Sequence, residues 1–195
     1  GWSQNGAGRW INDKYGFGEV DAAAAVGLAK TWSNVAAEVT ASSGTVTVGR
    51  TVPDNTAAGI SSSITLGADI KAESVEVTLT ARHASRGNLR VVLTSPSGTQ
   101  SVLADKHADT GNDYLGWTFS TVRSWGETVA GTWTLTVSDL TSGTTGTFDS
   151  WALNVYGTAG PGYVAPPTPL LVTVVALAAS FLPFVPELEI DGHLL

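Results

Sequence analysis

The sequence contains no cysteine and no methionine among its 195 residues. A disulfide framework, a thiolate nucleophile and a thiolate zinc site are therefore excluded. Basic residues are scarce as well, because ten Lys and Arg stand against 17 Asp and Glu and give a formal net charge of −7. Phosphate backbones are bound through concentrated Lys and Arg, so this balance argues against a nucleic-acid partner.

Charged residues of both signs make up only 14% of the chain, whereas glycine occurs 22 times and serine and threonine are abundant. A surface rich in hydroxyl groups rather than charges is typical of exported β-proteins, and we expect a secreted, extracellular or cell-surface location. The chain begins at Gly1 without an initiator methionine or an apolar signal segment. We therefore expect a processed product or an excised fragment.

Residues 34–158 contain short runs in which apolar and polar residues alternate, separated by polar turns. Alternation with a period of two indicates strands that pack one face on a core. Seven strands are predicted, at residues 60–66, 74–81, 88–95, 99–103, 116–121, 132–138 and 151–156. Strands of this length and spacing predict an all-β sandwich, barrel or jelly roll. Residues 34–50 have the composition of a linker that enters the first strands.

The first 33 residues have a different composition. Asp21 precedes an alanine-rich run, and its side chain can cap a helix that we predict over residues 22–32. A short alanine-rich helix is marginally stable alone, so we expect it to pack on a domain that lies upstream. Residues 5–26 follow the pattern N-G-x-G-x-x-x-N-D-x-Y-G-F-G-x-V-D-A-A-x-A-V. This pattern resembles the closing helix of subtilisin-like catalytic domains of the kexin/furin type, which makes residues 1–33 a predicted catalytic-domain remnant.

The remainder of the chain resembles the P domain (Homo B domain) that follows the catalytic domain in proprotein convertases. The residues that carry the resemblance are Val52-Pro53-Asp54, His83, Gly87-Asn88-Leu89, Leu93 to Thr99, Trp125-Gly126-Glu127, Gly131 to Leu135, Asp139, Gly146-Thr147-Phe148, Trp151, Leu153 and Gly157. The resemblance places a P domain at residues 51–158 and implies a jelly-roll β-barrel of about eight strands. Asn88 stands where the family commonly has Asp, so this position keeps an acceptor but loses the charge that an ion pair needs, and Lys106 stands where the family often has Arg.

No local motif of a subtilase Asp, His or Ser is present, so the fragment itself is predicted to be non-catalytic. We interpret His83 as a structural histidine that satisfies turn groups. Trp133 and Trp151 lie on predicted strands and are assigned to the core rather than to a stacking platform for ligands. Trp125 lies in a loop, and the resemblance implies that it and Glu127 contact the neighbouring catalytic domain.

Four oxygen-bearing side chains fall in one stretch, residues 105–113, which we call the acidic loop: Asp105, Asp109, Asn112 and Asp113. Calcium takes six to eight oxygen ligands, and a glycine-bearing loop can supply several of them. The spacing is not that of an EF-hand, and Lys106 lies within the loop. A calcium site and a solvated polar turn therefore both remain open.

Residues 159–195 begin as a proline-rich spacer and continue into an uncharged apolar run at 170–185. A bilayer span needs about 20 apolar residues, and the flanking residues here are acidic, so a membrane anchor is not favoured over other kinds of tail.

The first hypothesis is the C-terminal part of an exported subtilisin/kexin-like serine endopeptidase, whose P domain supports folding and stability of the catalytic domain. Its partners are the upstream catalytic domain and the protein or peptide substrate of the parent enzyme. The alternative is an accessory module that attaches a larger secreted enzyme to a substrate or surface, and a third idea is a membrane-anchored stalk.

Overall fold

Strands account for most of the chain in the computed structural model, which describes residues 1–165. Two short strands, β1 (Ser3–Gln4) and β2 (Trp10–Ile11), pair with each other and are followed by the helix α1 (Ala22–Ala29). Eight strands then form the β domain, residues 38–159: β3 (Glu38–Val52), β4 (Thr56–Leu66), β5 (Ile70–Arg82), β6 (Leu89–Thr94), β7 (Gln100–Ala104), β8 (Tyr114–Thr121), β9 (Gly131–Asp139) and β10 (Gly146–Ala159). The predicted all-β class, with about eight strands and one short N-terminal helix, is confirmed.

The eight strands form two antiparallel four-stranded sheets, in the orders β3-β10-β5-β8 and β4-β9-β6-β7. Every connection except the one from β6 to β7 crosses between the sheets, as it does in a jelly roll. The core lies between the sheets because alternate residues of each strand point inward. In β9, Trp133, Leu135 and Val137 are fully buried, and Trp151 of β10 is 1% exposed. The assignment of both tryptophans to the core is confirmed.

The prediction of a linker at residues 34–50 is wrong for most of its length, because β3 occupies residues 38–52 and pairs with β10 throughout. Gly44 and Gly49 gave this stretch a linker-like composition. Both have positive φ, 64° and 59°, which glycine adopts without strain, and each coincides with a register shift in the pairing with β10. Gly44 and Gly49 therefore mark β-bulges within one long strand, not a linker.

The helix begins where the sequence predicted, since the Asp21 carboxylate accepts a hydrogen bond from the Ala24 N–H at 2.9 Å. It ends at Ala29 rather than at residue 32, and none of its residues is buried. A short helix without a buried face gains nothing from tertiary packing, which explains the early end.

The predicted apolar tail at 170–185 and most of the proline-rich spacer lie outside the described residues. Among residues 1–165, no helix has the length and the apolar character that a membrane crossing requires.

Candidate functional site

The N-terminal segment, residues 1–33, meets the β domain at the loop 122–127 between β8 and β9, and we call this contact the junction. Asn5 lies at its centre and is 5% exposed. Its side-chain N–H groups donate to the carbonyl oxygens of Arg123 and Trp125, both at 2.9 Å. Its side-chain oxygen accepts from the N–H groups of Ala7 and Arg9, both at 3.0 Å. The Asn5 amide thus stabilises the N-terminal turn and binds it to the loop 122–127.

Glu127 supplies the second attachment from the β domain, where it is 2% exposed. Its Oε1 accepts hydrogen bonds from the Gly6 N–H, at 2.7 Å, and from the Thr99 hydroxyl. Burial by itself raises the pKa of this carboxyl, but the hydroxyls of Ser95, Thr99 and Ser97 and the Gly6 N–H outweigh it. The pKa of Glu127 therefore lies below its usual value, and the carboxylate is charged at neutral pH.

Gly6 allows the two parts of the chain to approach closely. A Cβ atom built on this residue would overlap the Ser97 side chain and lie 3.2 Å from Glu127 Oε1. Any larger residue would push the Gly6 N–H away from the carboxylate, because the contacting Ser97 atoms include its Cβ rather than only a mobile tip. The junction consequently requires glycine for space, since there is no positive φ at this position to explain it.

Side chains around the loop complete the junction. The Phe17 ring packs edge-on against Trp125, with centroids 5.1 Å apart, and the Arg9 guanidinium lies 5.1 Å from the Trp125 ring centroid. Arg123 forms a salt bridge with Asp13. Contacts of these kinds are worth about 0.5–1.5 kcal/mol each, so they add to the hydrogen bonds without replacing them.

The N-terminal segment also exposes much of its apolar surface. Trp2, Trp10 and Phe17 line an open apolar groove of about 450 Å³. Other large apolar side chains in residues 1–35 are more than half exposed, namely Tyr15, Val20, Val26, Leu28, Trp32 and Val35. A patch of this density marks an interaction surface rather than a free surface.

In the acidic loop, the four predicted calcium ligands do not converge. Asp109 Oδ2 accepts from Arg86 Nε at 2.7 Å, and its Oδ1 accepts from the Gly111 N–H at 2.8 Å. These donors, with Arg86 first, hold the pKa of Asp109 below its usual value against a smaller effect of burial. Both carboxylate oxygens of Asp109 are therefore already in use.

The other three residues of the predicted set are also directed elsewhere. Asp113 accepts the His83 N–H at 2.8 Å, and Asp105 accepts its neighbour's N–H. Asn112 lines a polar pocket beside Arg82 and Asp113. No group of three His, Asp or Glu side chains with metal-binding geometry occurs within residues 1–165. The loop in this conformation does not fit a calcium ion held by all four residues, and calcium binding is left to experiment.

Comparison with known proteins gives the family. A family profile described as "Proprotein convertase P-domain" matches residues 72–155. The chain carries a proprotein convertase P domain. It is 36% identical over 179 residues to Endoprotease bli-4 of Caenorhabditis elegans, covering 86% of this chain and 19% of that protein. It is 36% identical to human proprotein convertase subtilisin/kexin type 6, over 83% of this chain and 18% of that protein. It is 31% identical to bovine furin, over 85% of this chain and 22% of that protein.

These curated relatives are much longer, and the chain spans about a fifth of their length. The crystal structure of an Aeromonas sobria serine protease in complex with a chaperone matches with a TM-score of 0.73 and 24% identity. That match covers 82% of this chain and 34% of the protease, and it supports the fold alone.

His83 of the P domain is fully buried, as a structural histidine should be. Its Nδ1 lies 2.6 Å from the Ser85 carbonyl oxygen, and its Nε2 lies 3.1 Å from Asp139 Oδ2. The side chains of His83 and Asp139 are both 0% exposed, and Asp139 also accepts the Thr141 N–H. The ring satisfies turn groups as predicted, and it also lies within hydrogen-bond distance of a buried carboxyl group, which the sequence did not reveal.

Trp125 and Glu127, predicted to contact the catalytic domain, both contact the N-terminal segment. Asn5 and Arg123 have equally important positions in the junction, yet neither was singled out. For Asn5 a signal existed, because it opens the N-G-x-G part of the pattern at residues 5–26. An Asn before Gly in a turn commonly caps local N–H groups with its side chain.

Proposed function

We propose that the chain is the C-terminal part of an exported subtilisin/kexin-like serine endopeptidase, and that its P domain stabilises the catalytic domain. In this proposal residues 1–33 close the catalytic domain, and the P domain holds that closing segment through the junction. The observation that carries the proposal is the pair of buried polar side chains, Asn5 and Glu127, that fasten the two parts together by hydrogen bonds.

The exposed apolar surface of the N-terminal segment supports the same proposal. A helix with no buried residue and a groove lined by Trp2, Trp10 and Phe17 are what a segment would present if the rest of its domain packed there. The proposed occupant of this surface is the remainder of the catalytic domain. The protease would act on protein or peptide substrates, and the catalytic residues would lie outside this chain.

The test uses the complete protein that contains residues 1–195, assayed for peptide hydrolysis that a serine-directed inhibitor blocks. Replacing Glu127 with Ala removes two charge-assisted hydrogen bonds, which together are worth about 3 kcal/mol. We expect the variant to lose activity at elevated temperature at least about tenfold faster than the unaltered protein. Ser63→Ala removes an exposed hydroxyl of β4 that has no hydrogen bond to the N-terminal segment; it is the matched control and should inactivate at the normal rate.

Two results would contradict the proposal. One is a complete protein without inhibitor-sensitive peptidase activity, which would remove the protease assignment. The other is normal thermal inactivation of Glu127→Ala in an active enzyme, which would leave the protease assignment in place but remove the stabilising role of the P domain.

A further inference from the structure

Strand β8 lies at an edge of the sheet β3-β10-β5-β8 and is poorly protected against pairing with another strand. Along residues 1–165 it pairs with β5 alone. Its sequence, YLGWTFST, has no charged residue and no proline, and Leu115 and Trp117 are 63% and 44% exposed. An edge strand has unpaired N–H and C=O groups, and an aromatic, uncharged edge is a template for adding a further strand.

The other three edge strands carry features that hinder such pairing. β3 has charged residues, Glu38 and Arg50, and two register shifts. β4 has a register shift between Thr56 and Ile60, and β7 has only five residues. Bulges, charges and short length all hinder edge-to-edge contact. β8 also has a register shift, between Tyr114 and Trp117, but it pairs with β5 without interruption from Trp117 to Thr121, and that part carries no charge.

The side chains of β8 are arranged in two distinct rows. Trp117 and Phe119 lie opposite Leu79 and Val77, both fully buried, so their rings are on the inner face of the sheet. Thr118 lies opposite Thr78 on the outer face, and their hydroxyls are 3.1 Å apart. Arg86 contacts the strand over the Trp117 ring, at 5.0 Å, but its charge is balanced by Asp109. The free edge is therefore electrically neutral with an aromatic inner row.

We propose that β8 pairs with β8 of a second copy of this chain, in antiparallel register about a two-fold axis at Thr118. In this register Trp117 of each copy faces Phe119 of the other, and Thr118 faces Thr118. Cross-strand aromatic pairs and hydroxyl pairs are both favourable, and a two-fold contact uses the same patch twice. The two four-stranded sheets would join into one eight-stranded sheet.

Self-complementarity favours a second copy over a foreign peptide. The net charge of −7 opposes association of two copies, and the uncharged β8 is a surface where the contact adds no further pair of like charges. The centring on Thr118 also places the exposed Trp117 ring of each copy opposite the partly buried Phe119 ring of the other on one face, which a foreign sequence would have to reproduce. A single strand pair is a small interface, so a dissociation constant of about 10–100 µM is expected.

The test is sedimentation of the 195-residue chain across concentrations up to about 100 µM. Thr118→Lys and Thr118→Glu each place like charges opposite each other at the axis, and each should weaken dimerisation by about fivefold or more. An equimolar mixture of the two variants should restore dimerisation, because Lys then faces Glu. Trp117→Ser, which removes both aromatic pairs at once, should weaken it by about tenfold or more.

Ser63→Lys and Ser63→Glu are the matched controls, since Ser63 forms a cross-strand hydroxyl pair with Thr134 in the other sheet. They make the same charge changes and should leave the dimer unaffected, while melting curves verify that every variant is folded. A chain that stays monomeric at about 100 µM overturns the proposal. So does association that Thr118→Lys leaves unchanged, which would indicate another contact, or a mixture that fails to restore the dimer.

Discussion

Replacing Asn5 with Ala tests whether one buried amide holds the N-terminal segment on the P domain. The substitution removes two hydrogen bonds to the loop carbonyls of Arg123 and Trp125. It also removes the acceptor for the N–H groups of Ala7 and Arg9, so the turn loses its internal support. The P-domain core is untouched, because Asn5 contacts the loop and not the sheets.

The expected cost follows from the number of bonds and their environment. A hydrogen bond contributes about 0.5–1.5 kcal/mol net, and four bonds would reach about 2–6 kcal/mol if none were replaced by water. Ala7 and Arg9 are exposed, so water can replace the acceptor for their N–H groups. The two bonds to the loop carbonyls are lost without equal compensation because the site is buried. We therefore expect the substitution to lower the stability of the junction by about 3 kcal/mol, which corresponds to a roughly hundredfold larger population of the open junction.

Amide hydrogen exchange of Gly6 measures this opening directly. Its N–H donates to Glu127 and Thr99, which the substitution does not alter, so a fall in its protection factor, corrected for the intrinsic rate of the changed neighbour, reports detachment of the segment. Asn12→Ala is the matched control, because Asn12 caps the Lys14 N–H in the same segment without contacting the β domain. Unchanged protection of Gly6 in Asn5→Ala, with normal protection of β9, would refute the role assigned to Asn5.

Three further predictions concern charged groups. Because the pKa of Glu127 is lowered by folding, its contribution to junction stability is full above the ordinary glutamate pKa of about 4.3 and is lost as pH falls below it. The protection factor of the Gly6 N–H, which is the exchange rate of the unfolded chain at the same pH divided by the observed rate, should therefore fall on acidification, and Glu127→Gln should abolish that acid dependence. His83→Ala leaves Asp139 buried without its partner and should lower the free energy of unfolding in urea by about 3 kcal/mol, whereas an unchanged midpoint would contradict the buried pair. Millimolar calcium should not raise the melting temperature, because Asp109 already forms a salt bridge with Arg86. A rise in melting temperature that Asp109→Asn abolishes would instead support a calcium site in the acidic loop.

The strands that sequence analysis located are those whose alternation is uninterrupted. In β9, bulky apolar residues alternate with threonine, and the period of two is visible without any knowledge of the partner strands. In β3, Gly44 and Gly49 interrupt the alternation, and few of its residues are buried. Its pairing is determined by β10, about a hundred residues further on, which no local pattern contains.

The junction was predictable in part, for a similar reason. Trp125 and Glu127 were found because the resemblance to P domains pointed to their loop. The role of Asn5 depends on carbonyl groups of residues 123 and 125, and backbone acceptors have no signature in side-chain sequence. In the acidic loop, carboxylates that are close in sequence have separate partners in Arg86 and the backbone, and the sequence alone did not distinguish a calcium site from a polar turn.

The central position of β10 determines when the P domain can fold. β10 is the last strand of the P domain, yet it lies between β3, the first strand of the domain, and β5, and pairs with both along most of its length. Until residue 159 has been synthesised, β3 and β5 have no strand to bridge them, so this sheet cannot form progressively during translation. The loop that receives Asn5 lies before β10 in the chain. The N-terminal segment is synthesised before the P domain, so its docking site is supported by a complete domain only once β10 has been made.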